Sequence, residues 1–337
     1  MLNPKTPRPS TIPPLISGGI MLSYHCTNAC RHCLYRCSPK RPNEWMSLEM
    51  AERVFAALAR EPALESVHLA GGEATLNSEL LLAVVQMAIK HDVRLSYLET
   101  NAAWCADLDE TLRRLARLKE AGLPGLLVSA SMFHLEFVPF AHTRNCVDAA
   151  CQVFGRHNVL IWLPHMYAAL DQMPDHHRTW RLSEFCDHFG LARYDERLPG
   201  LYQTIPAGRA PEALRKCYTP YPAERFASER CGHDLCSTTH FHIDLYGNLI
   251  TGFCAGIASG SIDDLHPEIT PDRSPIVHTL CEEGPFGLSE LAKHEHGFVR
   301  RHEGYVSKCD LCYDVRRQLH TTARFSELRP VDYYECR

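Results

Sequence analysis

Residues 24–37 read YHCTNACRHCLYRC and place four cysteines within twelve residues, at Cys26, Cys30, Cys33 and Cys37. A metal centre whose positions are all filled by protein braces a fold or passes electrons, whereas one with an open position can bind a substrate. The first three cysteines have the spacing C-x3-C-x2-C. On a loop, three thiolates at these offsets can converge, and three thiolates on a cubane of four irons leave one iron without a protein ligand. The same residues also permit zinc, with His25, His32 or Cys37 as fourth ligand. They permit one face of a helix as well.

The surroundings of the loop narrow the fold. GGIMLSYH before it reads as a strand, and residues 47–60 after it have helical periodicity with Ser47 as N-cap. ESVHLAGG is then a strand, residues 78–91 a helix, VRLSYLET a strand, and LDETLRRLARLKEAG a helix closed by Gly122. LLVSAS, RNCVDAACQVFGRH, NVLIWLPH and LSEFCDHFG continue the alternation, and LARYDERLP (191–199) is expected to supply one more strand. The pattern predicts an α/β fold: after a tail at 1–17, residues 18–205 form a partial, TIM-like (β/α)6 barrel with a parallel sheet. It stops short of the eight units of a closed barrel, and its chemistry is expected at the C-terminal strand ends. Around 205–230 the rhythm dissolves, which marks a boundary. Residues 206–337 are expected to form a smaller domain with a β-hairpin over 240–254, a helix and the segment KCDLCYD.

Composition excludes several classes. The chain has 337 residues, 45% hydrophobic and 22% charged, with a net charge of −5. That is a globular composition without the basic balance of a nucleic-acid binder. The polar, proline-rich start is neither signal peptide nor anchor, and no apolar run approaches the roughly 20 residues that span a bilayer. A cytoplasmic protein with no nucleic-acid or membrane partner is expected. Sixteen cysteines in a reducing compartment point to metal or catalysis rather than disulfides, although Cys146, Cys151 and Cys186 read as buried small hydrophobes in helices.

A second set lies downstream. Cys309-x2-Cys312 has the spacing of a metal knuckle, and the hairpin brings Cys236 near Cys254, with Gly247 at its turn. Cys236, Cys254, Cys309 and Cys312 make four ligands, a set that structural zinc would accept. Cys231 can replace Cys236 as first ligand, and Cys336 can substitute for one of the four.

C-x3-C-x2-C after the first strand of a partial barrel resembles the radical S-adenosylmethionine (radical SAM) superfamily. The resemblance extends to HLAGGEATLN, which places Gly71, Gly72 and Glu73 at the end of the second strand like the family's GGE motif. At the third strand end LETNAAW places Asn101 at a Thr-Asn-Gly turn, with Ala102 in the glycine's position. At the fourth, VSASMFH offers Ser129, and less well Ser131, near the ribose. His32 takes the place before the third cysteine that relatives often give to an aromatic residue near the adenine. His134 and Glu136 are candidates for substrate contact. The second set resembles a twitch domain, the shortened form of the SPASM domain with one auxiliary cluster.

The resemblance implies a 4Fe–4S cluster on Cys26, Cys30 and Cys33 with SAM on its open iron, and an auxiliary 4Fe–4S cluster on Cys236, Cys254, Cys309 and Cys312. Cys37 would then be a bystander. Reduction by a flavodoxin- or ferredoxin-type partner would cleave SAM to a 5′-deoxyadenosyl radical that abstracts a substrate hydrogen. Oxidation of a small metabolite is the first expectation, and modification of a short peptide the second, because only 25 residues precede Cys26 and no leader-binding domain fits there. A non-catalytic iron–sulfur or zinc protein, with Cys37 closing the first centre, is the reading from another class. A glycyl-radical-activating enzyme ranks behind these. No catalytic acid or base is assigned.

Overall fold

The computed structural model describes residues 10–192, 195–323 and 325–335. Cys336 lies outside them. One sheet has the strand order β5-β4-β3-β2-β1-β6-β7-β8. β1 (Ser17–Met21), β2 (Ser66–Ala70), β3 (Leu95–Thr100), β4 (Leu126–Ser129) and β5 (Val159–Trp162) run parallel and in sequence order, as an alternating chain dictates. The connecting helices are α1 (Leu48–Leu58), α2 (Ser78–Lys90), α3 (Leu108–Glu120), α4 (Met132–Leu135) and α5 (Phe140–Phe154). Ser47 caps α1 by accepting from the Met50 amide, and Gly122 follows α3 at φ +110°.

The sixth parallel strand is not where the alternation places it. Within 191–199 the described residues form a turn entering a short helix, Leu198–Leu201, in which Pro199 can donate no ladder hydrogen bond. Arg193 and Tyr194 are outside the described residues. The strand is β6 (Phe241–Ile243), the first arm of the hairpin, which lies parallel to the free edge of β1 with Gly18 opposite Phe241 and Gly19 opposite His242. β7 (Asn248–Ile250) and β8 (Gly260–Ser261) continue the sheet antiparallel. The sheet is thus continuous across the expected boundary near 205.

Alternation along each strand separates two faces. Ile20, Val67, Leu69, Leu98, Leu126 and Val128 pack beneath the helices, against Val54, Phe55, Leu81, Val84 and Leu115. The opposite face carries Gly19, His68, Glu99, Leu127, Ser129, Leu160, Trp162 and His242, which the pairing register places side by side. Gly19 is necessary there: a Cβ would stand 2.4 Å from His68 Nε2 and 2.7 Å from His242 Cδ2. A second apolar core, with Leu311, Val315, Leu319, Tyr305 and Tyr333, surrounds the helix Lys308–Thr322.

Candidate functional site

The loop after β1 and the C-terminal ends of β2, β3 and β4 enclose one cleft. Cys26, Cys30, Cys33 and Cys37 line it with His32, Gly72, Glu99, Asn101, Ser129 and His134. Burial pushes the Cys26 thiol up to about 12 and raises Cys30 well above the ordinary range. Such thiols ionise readily only when a metal takes the charge. Cys33 differs: the Cys37 thiol donates to its sulfur and pulls it down to about 6, and the Cys37 amide donates to the same sulfur at 3.3 Å.

That contact bears on the fourth cysteine. Cys37 is placed as a donor to Cys33, the kind of outer contact that tunes a metal centre. Among the described residues no three His, Cys, Asp or Glu side chains close on a single ion.

The remaining candidates divide into lining and bracing groups. Gly72 packs so tightly under the loop that a Cβ would stand 1.9 Å from the His25 carbonyl oxygen. Glu73, 1% exposed, does not line the cleft. Its carboxyl accepts from Thr75 Oγ1 at 2.6 Å, Thr100 Oγ1 at 2.9 Å and the Asn101 amide at 2.8 Å, tying the end of β2 to the end of β3. Gly71, at φ +153°, forms the turn before it against the Ser23 backbone. Asn101 Nδ2 donates to Thr27 Oγ1 at 3.0 Å and lies 3.5 Å from Cys26 Sγ. Ala102 adopts φ +63°, the left-handed conformation that the glycine of a Thr-Asn-Gly turn supplies more cheaply.

Ser129 lines the cleft, whereas Ser131 caps α4 and holds His134 Nδ1 at 2.8 Å. Glu136 is bound by the Arg31 guanidinium at 2.8 and 2.9 Å and fastens the cysteine loop to the β4 side. His32 packs among Phe133, His134 and Tyr202, and its buried Nδ1 has no hydrogen-bond partner. Burial holds the His32 and His134 imidazoles neutral, His134 at about 4. An orphaned polar atom, a glycine cradle and a trio of buried and half-buried thiols are features that a cluster with a bound polar ligand would satisfy.

Sequence reading passed over Glu99 and the imidazoles behind it. Glu99 is pushed up to about 7, first by burial and then by the Glu73 charge. Its carboxyl lies 3.6 Å from His68 Nε2. His68 stacks on Tyr97, and His242 Nδ1 shares a 2.8 Å hydrogen bond with the Tyr35 hydroxyl. His240 bridges this group to Phe253. Alternation on β2 and β3 already put His68, Tyr97 and Glu99 on one face; the pairing of β6 with β1, which brings in His242, had no local signal.

The second cysteine set lines a separate cavity of about 400 Å³. Its thiols are Cys231, Cys254, Cys309 and Cys312. Cys236, expected as the first ligand, instead shares a hydrogen bond with Cys281. The short helix Gly232–Leu235 turns the chain between the two candidates, so Cys231 faces the cavity and Cys236 faces the helix Pro275–Glu282. Cys309 and Cys312, one turn apart, share a face at the N-terminus of Lys308–Thr322, where the helix dipole favours thiolates. Ser307 caps that helix by accepting from the Asp310 amide at 3.0 Å.

The site is thus a cysteine-rich loop set at the C-terminal ends of an open parallel sheet. Residues 20–153 match the Radical SAM superfamily model. No curated protein matches the chain. Among solved structures it is similar to BtrN in complex with AdoMet and 2-DOIA (15% identity, 86% of this chain and 98% of that one, TM-score 0.45). It is also similar to anSMEcpe with bound AdoMet and Cp18Cys peptide (15% identity, 95% and 94%, TM-score 0.44). HydG, a maturase of the [FeFe]-hydrogenase, is a third (13% identity, 71% and 58%, TM-score 0.35). Among the described residues no helix is long and apolar enough to cross a membrane.

Proposed function

We propose that the chain is a radical SAM enzyme with two 4Fe–4S clusters that oxidises a small metabolite held on the open face of the sheet. Cys26, Cys30 and Cys33 would hold the SAM-binding cluster, and Cys231, Cys254, Cys309 and Cys312 the auxiliary one. The observation that carries the reading is the gathering of four thiols on a cavity separate from the three-cysteine cleft. Four protein ligands close the auxiliary cluster, which suits it to accept an electron rather than to bind substrate.

When bound, the first centre supplies reductive cleavage of SAM, with electrons from a flavodoxin- or ferredoxin-type donor. The chain's own residues position and enclose. Gly72 lets the cysteine loop close over the end of β2, Asn101 and Ser129 offer hydrogen bonds at the strand ends, and His32 and Tyr202 form an aromatic wall. Glu99, with His68 Nε2 3.6 Å behind it, presents a polar group to the cleft. A peptide substrate remains the second reading. The test is iron and acid-labile sulfide in anaerobically reconstituted protein: about eight irons per chain in the wild type and about half in Cys231→Ala. About four irons in the wild type, or no loss in Cys231→Ala, contradicts the two-cluster reading.

A further inference from the structure

Residues 205–212 open the stretch where the sequence loses its strand rhythm and marks a boundary. In the fold they form a wall between the two cysteine centres. Ile205, Pro206, Ala207 and Gly208 line the auxiliary cavity. On the other side the Arg209 guanidinium donates to the Cys30 carbonyl at 2.7 Å and to the Cys37 carbonyl at 2.8 Å, while its amide donates to the Cys33 carbonyl at 3.1 Å. Gly208, at φ +62°, fits because it lacks a Cβ, which would stand 2.4 Å from the Leu34 carbonyl oxygen and 2.6 Å from that of Cys33. The contact is returned by Arg36, which donates to the Gly208 carbonyl at 3.1 Å and pairs with Glu212 at 3.0 Å. The same wall reaches the auxiliary ligands: Ser307, which caps the helix of Cys309 and Cys312, donates to the Pro206 carbonyl at 2.6 Å.

We propose that this segment is a strut shared by both centres, and that Arg209 is its positioning residue, fixing the three-cysteine loop and placing a permanent positive charge beside it. The inference rests on the radical SAM reading above. A guanidinium stays charged at any working pH, and its rigid fork suits two oxygens held at a fixed spacing. Among the described residues no carboxylate pairs with Arg209, whereas the charge of Arg36 is answered by Glu212. An unanswered cation next to a cluster favours the more negative, reduced state. Lysine would keep the charge and lose the fork.

The test is an EPR-monitored redox titration of the reconstituted protein, following the signal that changes when SAM is added and using the SAM-insensitive signal as internal reference. Arg209→Gln is expected to lower the reduced-to-oxidised ratio of the SAM-sensitive cluster at a fixed poise by about tenfold, a shift of about 59 mV for one electron. Arg209→Lys should stay within about threefold of the wild type, and the reference signal should stay put in both. The proposal is overturned if Arg209→Gln titrates like the wild type, if lysine falls as far as glutamine, or if both signals move together. Loss of iron from both centres in both variants also overturns it, since a general folding role would not be rescued by lysine. A wild type with no SAM-sensitive signal refutes the radical SAM reading itself, and this inference with it.

Discussion

Glu73 stands in a motif associated with SAM binding, yet the structure uses its carboxyl to join two strand ends. Replacing it with alanine would leave the Asn101 amide without its acceptor and force the Thr75 and Thr100 hydroxyls to turn elsewhere; all three residues are buried. Each orphaned buried donor costs about 1–3 kcal/mol. Against that stands the relief of removing a carboxyl whose pKa burial raises. The expected net loss is about 2–4 kcal/mol, larger than for Glu73→Gln, which keeps one acceptor oxygen. Urea unfolding of the iron-free protein measures this without a metal contribution. Because Asn101 also reaches Cys26 Sγ and Thr27, the same substitution should weaken iron retention. The reasoning fails if Glu73→Ala unfolds within about 0.5 kcal/mol of the wild type yet loses SAM binding. The carboxyl would then act on the ligand and not as a brace.

Other substitutions probe separate contacts. Gly72→Ala should displace the cysteine loop and cost about 1–3 kcal/mol by overpacking, read as a lower thermal midpoint with reduced iron uptake. Cys236→Ala should keep the full iron complement that Cys231→Ala loses, because Cys236 faces Cys281; equal losses would return Cys236 to the ligand set. Glu327 is pushed up to about 7 by burial and accepts from the Val277 amide at 2.9 Å. The folded state therefore holds its proton more tightly than the unfolded chain does. Stability from this group is present below about 4.5, the ordinary carboxylate value, and is lost as pH rises to about 7. Glu327→Gln should flatten the pH dependence of unfolding across that window, and an unchanged slope would count against the burial argument.

The five parallel strands, their helices and the three-cysteine loop were legible because each rests on local periodicity or close spacing. The parts that escaped depend on contacts distant in sequence. Nothing local in FHI says that β6 will seek the edge of β1 instead of leaving it to residues 191–199. Cys231 and Cys236 are equally good ligands by spacing, and only the turn at Gly232–Leu235 decides which one faces the cavity. The strut at 205–209 read only as a boundary because its order comes from the main-chain carbonyls of another loop, which no side-chain pattern encodes. Glu73 was found for its motif, but its role as a brace appears only once Thr100 and Asn101 are beside it.

The most direct measurement is formation of 5′-deoxyadenosine by anaerobically reconstituted protein supplied with SAM and dithionite, with Cys30→Ala and Cys37→Ala in parallel. The account predicts product from the wild type and from Cys37→Ala, and none from Cys30→Ala. Intact SAM in the wild type despite bound iron and sulfide would contradict it, and so would a Cys37→Ala variant that gains an activity the wild type lacks.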